Sequence, residues 1–383
     1  MRKKALLLFL VLTDIFLLSG CWNYVELDQQ INVSGFALDV GQPGFKYHLS
    51  AEVVTVGKNQ KDEMNVNVME TDADTLFEGV RNLMTLASKK LYFGHCKTIV
   101  IGEDLAKEGI FEAMDFPIRN HELRIETDVM IAKGNTGKEI LLSEGVSTNI
   151  AAYKLYDLTK TFFKSIGEVL THKLFLVYNS MQMEGGSTII PCVELRMVED
   201  EKVAKLVGGA VFRGDKLIGY LNEHQVKNLS LMSNKQKDGL LTYKNPENPE
   251  NYISAEIYKN KSKIELSFSD KGPEASVTVN TAVIVGEVET QFDFTKPEEI
   301  ERFRHMLESQ SDKEFEELMG KAQKGLKCDI LGVGKLIQEK YPQLWEKYKD
   351  NWDEMFCKMP VKVKTNIKIT GSGIESKSGT IKE

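Results

Sequence analysis

The sequence predicts a multidomain chain with two to three domains, an α/β region followed by an α+β region, in which mixed and antiparallel sheets are flanked by helices. Three observations predict this class. In the first half, apolar β-branched runs alternate with segments of helical spacing. In the second half, strand patterns come first and helical patterns follow. A length of 383 residues, 42% hydrophobic and 27% charged, is sufficient for several ordinary globular cores.

The first half opens with a predicted pair of strands. Residues 31–40 and 47–56 are apolar and β-branched, and they flank the turn signal Gly41-Gln42-Pro43-Gly44. Residues 57–71 are polar, which predicts a loop. The elements predicted next are a helix from Asp74 through Ala87, a strand over 97–101, a helix over 103–116 that Pro117 ends, and a strand over 124–132.

The middle of the chain is predicted to change from helices to strands. Residues 136–185 have mostly helical spacing, and an extended run over 188–198 follows, interrupted by Pro191. The charged segment 199–205 predicts the main domain boundary. The predicted parts are a signal peptide over 1–20, an N-terminal α/β region over 21–200 with one or two subdomains left open, and a C-terminal α+β domain over 206–375.

The C-terminal part is predicted to contain antiparallel strands and then helices. The predicted strands cover 206–213, 216–221, 252–258, 262–269 and 275–285, with a turn at Lys259-Asn260-Lys261. A capping box at Thr295-Lys296-Pro297-Glu298 predicts the start of a helix that runs to about 307. Further helices are predicted over 312–327 and 333–340, and 361–369 predicts a closing strand.

The first 21 residues have the order of an export signal. Arg2-Lys3-Lys4 precedes the stretch 5–18, which is apolar apart from Thr13 and Asp14. Fourteen residues form a helix of about 21 Å, which is shorter than the roughly 30 Å of a hydrocarbon core. The stretch therefore predicts a signal peptide rather than a spanning anchor. Leu18-Ser19-Gly20-Cys21 resembles a bacterial lipobox, which predicts lipid attachment at Cys21.

Charge and cysteine content exclude several classes of protein. The formal net charge of −7 argues against nucleic-acid binding and against adhesion to anionic lipid by electrostatics alone. The chain has no C-x-x-C spacing, which argues against a zinc ribbon. The four cysteines beyond Cys21 are predicted to be small buried hydrophobes, and the sequence leaves open whether any two of them pair: Cys96, Cys192, Cys328 and Cys357.

Several stretches in a fixed order resemble one family, the Ger(x)C lipoproteins, which are the C subunits of bacterial spore germinant receptors. The stretches are Cys21-Trp22, LYFGHCKTIVIGEDLAKEGI (91–110), DFPIRNHELR (115–124), GGAVFRGDKLIGYL (208–221) and KCDILGVGKLIQEKYPQLW (327–345). The resemblance implies three α/β-type domains, a lipid anchor at Cys21 and a position on the outer face of the spore inner membrane. It also implies integral-membrane A and B subunits as partners and a response to amino acids, sugars or nucleosides. It implies no cofactor and no enzymatic activity, and it leaves direct nutrient binding open.

Two sequence motifs mimic catalytic or nucleotide sites without completing them. Gly332-Val333-Gly334-Lys335 resembles a phosphate loop, but Asp329 and Leu336 occupy positions where that pattern needs Gly and Ser or Thr. The motif instead predicts a tight turn in which glycine adopts a positive φ. Gly94-His95-Cys96 places an imidazole beside a thiol, but neighbouring strand residues point to opposite faces. We therefore expect a structural turn, and the residues predict neither a catalytic nor a metal site.

Four residues are candidate partner contacts. Arg119 and Arg124 lie in a charged stretch after Pro117, and arginine is enriched in interfaces. A metal site in this stretch would need H-E-x-x-H, which is absent. Trp345 and Trp352 are seven residues apart and share a face if one helix carries both. Core packing is the favoured interpretation of that spacing, and an exposed aromatic anchor for a partner is the alternative.

The leading functional hypothesis is a lipid-anchored, non-enzymatic subunit of a nutrient germinant receptor. The alternative is a solute-binding lipoprotein of a membrane transporter, an architecture with two similar lobes and a ligand between them. The two halves of this sequence have different patterns, which favours the first hypothesis. A lipid-anchored hydrolase would need a nucleophile, a base and an orienting group, and no G-x-S-x-G pattern is present.

Overall fold

The computed structural model describes residue 4 and residues 26–56, 64–143, 149–166, 170–245, 248, 250–270, 272–288 and 293–371. Cys21 and all of the predicted signal peptide except Lys4 lie outside the described residues. Within the described ranges, no helix is both long enough and apolar enough to span a bilayer.

The first region is a nine-stranded mixed sheet. Its strands are β1 (Gln30–Val40), β2 (Tyr47–Val56), β3 (Met64–Ala73), β4 (Lys90–Tyr92), β5 (Thr98–Gly102), β6 (Asp128–Ala132), β7 (Ser187–Val198), β8 (Glu201–Arg213) and β9 (Lys216–Leu221). The order is β3-β2-β1-β5-β6-β7-β8-β9, and β4 pairs with β1. The central strands β1, β5, β6 and β7 are parallel, and antiparallel strands extend the sheet on both sides.

Helices cover both faces of this sheet. They are α1 (Leu76–Ala87), α2 (Glu103–Glu108), α3 (Phe111–Arg119), α4 (Gly137–Leu141), α5 (Ala151–Ile166) and α6 (Leu174–Met181). Every residue of β5 and β6 is buried, as expected for parallel strands with helices on both sides. Successive residues face opposite layers: Ile99 packs with α1, α2, α3 and α6, and Val100 packs with α4 and α5.

The second region combines a four-stranded sheet with helices. Its elements are α7 (Glu223–Met232), β10 (Gly239–Lys244), β11 (Tyr252–Ser269), β12 (Gly272–Val288), α8 (Pro297–Gly320), α9 (Val333–Lys340), α10 (Pro342–Tyr348), α11 (Trp352–Lys358) and β13 (Val361–Gly371). The sheet order is β10-β11-β12-β13, with two antiparallel pairs and a parallel pair β12–β13. Glu308 and Asp312 of α8 accept hydrogen bonds from the backbone N–H groups of Ile367 and Thr365, both at 2.8 Å, so this helix covers the edge of β13.

The predicted fold class is confirmed, but several element bounds in the first region are wrong. Part of the predicted loop 57–71 is strand β3, which pairs with β2 along its full length. The predicted helix 103–116 is two helices, because Gly109 adopts a φ of 132° between them. Pro117 lies inside α3, where it falls in the last turn and removes a single hydrogen bond. Pro191 does not interrupt β7, because pairing with β6 begins only at Cys192.

In the second region, two predicted breaks are absent. The predicted turn at 259–261 lies inside β11, where Asn260 is buried and its amide donates to Leu231 O at 3.1 Å. The helices predicted to end near 307 and begin near 312 are one helix, α8, because buried Ser311 donates to Leu307 O and also contacts the Tyr243 hydroxyl. The predicted capping box is wrong, since the N-cap of α8 is Lys296 and makes no side-chain cap. The helix over 333–340 and the closing strand are confirmed.

The charged segment 199–205 contains the turn between β7 and β8 and the first residues of β8. The larger sheet continues beyond it to Leu221. The division of the chain into domains at this segment stays a prediction.

Candidate functional site

The two tryptophans proposed as partner contacts belong to the core of the second region. Trp345 and Trp352 are each 2% exposed, and their ring centroids are 5.6 Å apart in an edge-to-face arrangement. A Cβ atom added at Gly185 would lie 2.0 Å from Cη2 of the Trp345 indole. Because glycine has no side chain, the first region can pack directly on this indole. The favoured interpretation, core packing, is therefore confirmed, and the alternative of exposed anchors for a partner is wrong.

The turn at Gly332 is built around Asp329. Gly332 has a φ of 77°, which confirms the predicted positive φ. The Asp329 carboxylate accepts hydrogen bonds from Gly332 N at 2.9 Å, Gly334 N at 2.7 Å and Trp352 Nε1 at 3.2 Å. Burial raises the pKa of Asp329, while these donors favour its charged form and lower the pKa. Asp329, which departs from the phosphate-loop pattern, therefore fixes both the N-terminus of α9 and the Trp352 indole.

The Gly94-His95-Cys96 motif is a structural turn, as predicted. Cys96 N donates to Phe93 O at 2.9 Å, and the His95 ring contacts the Tyr92 ring at 5.8 Å. Burial raises the pKa of Cys96 to about 12, so its sulfur stays a thiol at neutral pH. The four cysteines within the described residues are free; Cys357 is half-buried and the other three are buried.

A large cleft lies between α1 and α3. It has a volume of about 1230 Å³. Its wall and floor are apolar and include Val80, Met84, Leu91, Phe93 and Phe116. A smaller cleft of about 410 Å³ adjoins it, and Phe77, Asp115 and Phe116 line both. Together the two form one groove, which we call the α1–α3 groove.

Aromatic rings set the width of the α1–α3 groove. Phe116 contacts Phe77 and Phe93 edge-to-face, with centroid distances of 6.3 Å in both cases. Phe77 is 61% exposed. The start of α1 is fixed by Thr75, whose side chain accepts from Glu78 N at 3.2 Å, and Phe111 at the start of α3 stacks on Tyr178 at 5.1 Å. The sequence therefore places rigid aromatic groups on the surface of two well-anchored helices.

Charged side chains form the rim of the groove. Arg119 is exposed and binds both oxygens of Asp115, at 2.8 and 2.9 Å from its Nε. Lys90 forms an ion pair with Glu122. The Arg81 guanidinium lies 5.1 Å from the centre of the Phe77 ring, a cation–π distance. Lys89 is exposed, and no ion pair of Lys89 or Arg81 is present among the described residues.

The structure places the two predicted arginines differently. Arg119 lines the α1–α3 groove. Arg124 is exposed in the loop before β6 and does not line it. Sequence analysis missed the groove because Phe77 and Met84 fit the same helical spacing as the buried Leu76, Val80 and Leu83. The available signal was that α1 carries apolar residues on more than one face.

The groove lies where the chain enters the fold. Gln29 lines it, and the next residue, Gln30, starts β1 opposite Lys90 of β4. Cys21 precedes Gln29 by eight residues, which span at most about 28 Å when extended.

Comparison with known proteins covers both regions. A family model described as the spore germination protein N-terminal domain matches residues 23–195. A second, described as spore germination B3/GerAC like, C-terminal, matches residues 207–373. The chain belongs to the Ger(x)C family of spore germination proteins.

Two relatives of this Ger(x)C chain are similar to it over almost their whole length. Spore germination proteins KC and B3 of Bacillus subtilis (strain 168) are each 25% identical to it over 98% of this chain, and cover 98% and 99% of the relative. The crystal structure of the GerBC protein superposes with a TM-score of 0.56 and 21% identity, over 88% of this chain and 97% of that one. The similarity shows that the two proteins share their fold.

The family models place the groove and the tryptophan pair in different parts of the Ger(x)C chain. The groove residues, from Gln29 to Glu122, all lie in the part matched by the N-terminal model. Trp345 and Trp352 lie in the part matched by the C-terminal model. The groove is therefore the candidate functional surface of the N-terminal part.

Proposed function

We propose that this chain is a lipid-anchored, non-enzymatic subunit of a nutrient germinant receptor in the spore inner membrane. Family membership supports a role in spore germination. The observation that carries the anchor is the lipobox-like Leu18-Ser19-Gly20-Cys21, which follows a basic and apolar leader and directly precedes the folded body. The proposed modification is a diacylglyceryl group on the Cys21 sulfur.

The position of Cys21 supports a short tether. Glu26, the first residue of the continuous described body, follows Cys21 by five residues, or at most about 18 Å of extended chain. Each buried methylene of an acyl chain contributes about 0.8 kcal/mol to membrane binding, so two chains hold an acidic body that lipid charge would not retain. The folded body then stays beside the outer face of the membrane.

The proposed partners are the integral-membrane A and B subunits of the receptor. A tether confines the protein to the membrane plane and raises its effective concentration near these subunits, so interfaces of modest affinity suffice. The chain contributes binding surfaces rather than catalysis in this proposal. Burial raises the pKa of Cys96 and Cys192 to about 12, which does not favour a nucleophilic role for either thiol.

The architecture does not favour the solute-binding alternative. That class uses two similar lobes around an interlobe ligand. Here one region is a nine-stranded mixed sheet with helices on both faces, and the other is a four-stranded sheet with a long helix across its edge.

Cys21→Ala tests the proposed function. In spores that produce this variant, we expect the protein to leave the membrane fraction and nutrient-triggered germination to weaken, because the acyl anchor is lost. Cys357→Ala is the matched control, since Cys357 is a free, half-buried cysteine of α11 in the second region. The proposal is wrong if the Cys21→Ala protein stays membrane-bound and fully functional, or if the mass of the wild-type protein shows an unmodified thiol at residue 21.

A further inference from the structure

We propose that the α1–α3 groove binds an amphipathic helix of an integral-membrane partner, at a point where that helix carries acidic residues close to the bilayer surface. This inference rests on the proposed function, because it places the groove beside the membrane through the Cys21 anchor. It adds the chemistry of the partner and the surface that recognises it.

The shape of the groove fits a helix better than a small nutrient. Small-molecule pockets usually enclose about 300 to 1,000 Å³, and the larger part of this groove alone is about 1230 Å³. Its walls are two helices, α1 and α3, which meet through Phe77 and Phe116, and the half-buried Met84 and Phe116 provide the apolar surface between them. A third helix that packs between two others buries one apolar stripe, the helix-in-groove mode of recognition.

The groove exposes a large aromatic side chain. Phe77 of α1 is 61% exposed and lines both clefts. Single exposed apolar residues are common, but exposed large side chains next to an apolar cleft indicate an interaction site. Aromatic residues are also the side chains that contribute most at protein interfaces.

The charge of the rim specifies an acidic partner. Arg119 and Lys90 each have a carboxylate neighbour within the rim, Asp115 and Glu122. Arg81 and Lys89 add two further positive charges, and no ion pair of either is present within the described ranges. The rim of the larger cleft therefore carries excess positive charge in a chain whose net charge is −7, whereas the smaller cleft adds Lys46, Asp74 and Glu112 and no positive excess. Carboxylates on the bound helix would pair with these two cations.

The short segment between Cys21 and Gln29 favours an occupant of the groove that also lies at the membrane. Gln29 lines the groove and lies within about 28 Å of the acylated Cys21, so the groove remains close to the lipid headgroups. Residues 21–25, Cys-Trp-Asn-Tyr-Val, are near enough to enter the groove, but they carry no acidic group to match its rim. A second copy packed groove to groove would place two positively charged rims against each other. A juxtamembrane helix of the partner would lie close to the headgroups and would supply acidic side chains, which are the two properties that the groove requires of its occupant.

Photo-crosslinking in the intact receptor tests the occupant. A photoreactive phenylalanine analogue in place of Thr85, an exposed residue of the groove, is compared with the same analogue in place of Tyr258, which is 70% exposed in the second region. We expect the Thr85 site to cross-link to a segment of an integral-membrane subunit with apolar residues at helical spacing and Asp or Glu beside them. Cross-links only to residues 21–25, to a second copy, or to no protein overturn the inference.

Substitution in the groove gives an independent measurement. Phe77→Ser should lower the amount of integral-membrane partner that co-purifies with this subunit by about tenfold, the factor expected when an interface aromatic is truncated. Arg81→Glu should lower it as well, and more than Arg81→Gln does. Leu240→Ser, at a position 50% exposed on β10, is the control. Circular dichroism of each purified variant verifies that it is folded.

Membrane fractionation separates this inference from the proposed function. Phe77→Ser protein should stay in the membrane fraction, because Cys21 is intact, while its partner is lost. If that protein retains its partner, the groove assignment is wrong and the anchored-subunit function stands. If wild-type protein is absent from the membrane fraction, the proposed function itself is wrong.

Discussion

The two regions of the molecule place their aromatic residues in opposite ways. The second region encloses Trp345, Trp352 and Phe356 in its core, where each is at most 2% exposed. The first region leaves Phe77 on its surface and uses Phe116 as the wall of an open groove. Similar spacing of apolar residues thus leads to a closed core in one region and to a partly exposed surface in the other. The difference between the two regions is whether another part of the fold packs against the aromatic side chains.

The largest effect expected from this contrast is on stability. Trp352→Ala should lower the free energy of unfolding by about 3–5 kcal/mol, because it opens a cavity in the core and removes a donor to the Asp329 carboxylate. Phe77→Ala, at an exposed position, should change it by about 0.5 kcal/mol. Urea unfolding of the purified proteins, followed by circular dichroism, measures both. Equal losses for the two variants would remove the distinction between the regions.

An intermediate effect is expected where the regions meet. His172 packs on Phe163 at a centroid distance of 4.4 Å, and its carbonyl accepts from Val129 N of β6 at 2.7 Å. Phe163 in turn packs against the core of the second region. Burial lowers the pKa of His172 to about 4, below the ordinary value of 6.5. The folded state therefore binds a proton at the His172 imidazole less tightly than the unfolded state does.

The sign of the pH effect follows from that difference. The stability that neutral His172 provides is complete above pH 6.5 and is lost as the pH falls toward 4, with a slope of at most about 1.4 kcal/mol per pH unit. His172→Phe should flatten the stability profile in this window. A His172→Phe profile that keeps the wild-type slope would show that the seam between the regions is open to solvent.

The smallest stability effect is expected at the rim of the groove. Arg119→Ala breaks an exposed ion pair with Asp115, and solvent screens such pairs strongly, so no measurable change in the unfolding midpoint is expected. The same variant should weaken co-purification of the membrane partner, since Arg119 lines the groove. Arg124→Ala should do neither. A partner that is lost with Arg124→Ala and kept with Arg119→Ala would place the interface elsewhere.

Elements whose structure depends on a local signal were predictable from the sequence. The apolar runs of β5 and β6 are strands that are buried on both faces of the sheet, and Gly332 precedes α9 with a positive φ. Elements in which a polar residue bonds to a partner distant in sequence were not predictable. Asn260 resembled a turn signal, but its side chain is bonded to Leu231 and to Thr281, 29 and 21 residues away.

The candidate site was only partly predictable for a related reason. The sequence predicts Arg119 as a partner contact; the structure places this residue in the groove, and its role in an interface stays a prediction. Phe77 could not be separated from its buried neighbours by spacing, because its exposure depends on how far α3 stands from α1. Trp345 and Trp352 could not be assigned to core or surface until the packing of Gly185 and Gly334 against them was known.

The hairpin β7–β8 has a consequence for dividing the protein. Its two strands pair through twelve residue pairs, from Ser187 with Arg213 to Val198 with Glu201. A gene split at the charged turn would leave β7 as a bare edge on one fragment and strands β8 and β9 without a sheet on the other. The two halves that the family models match are therefore joined by backbone pairing between β7 and β8. A truncated protein that contains the amino-terminal half should extend through Leu221, so that β8 and β9 stay in the sheet.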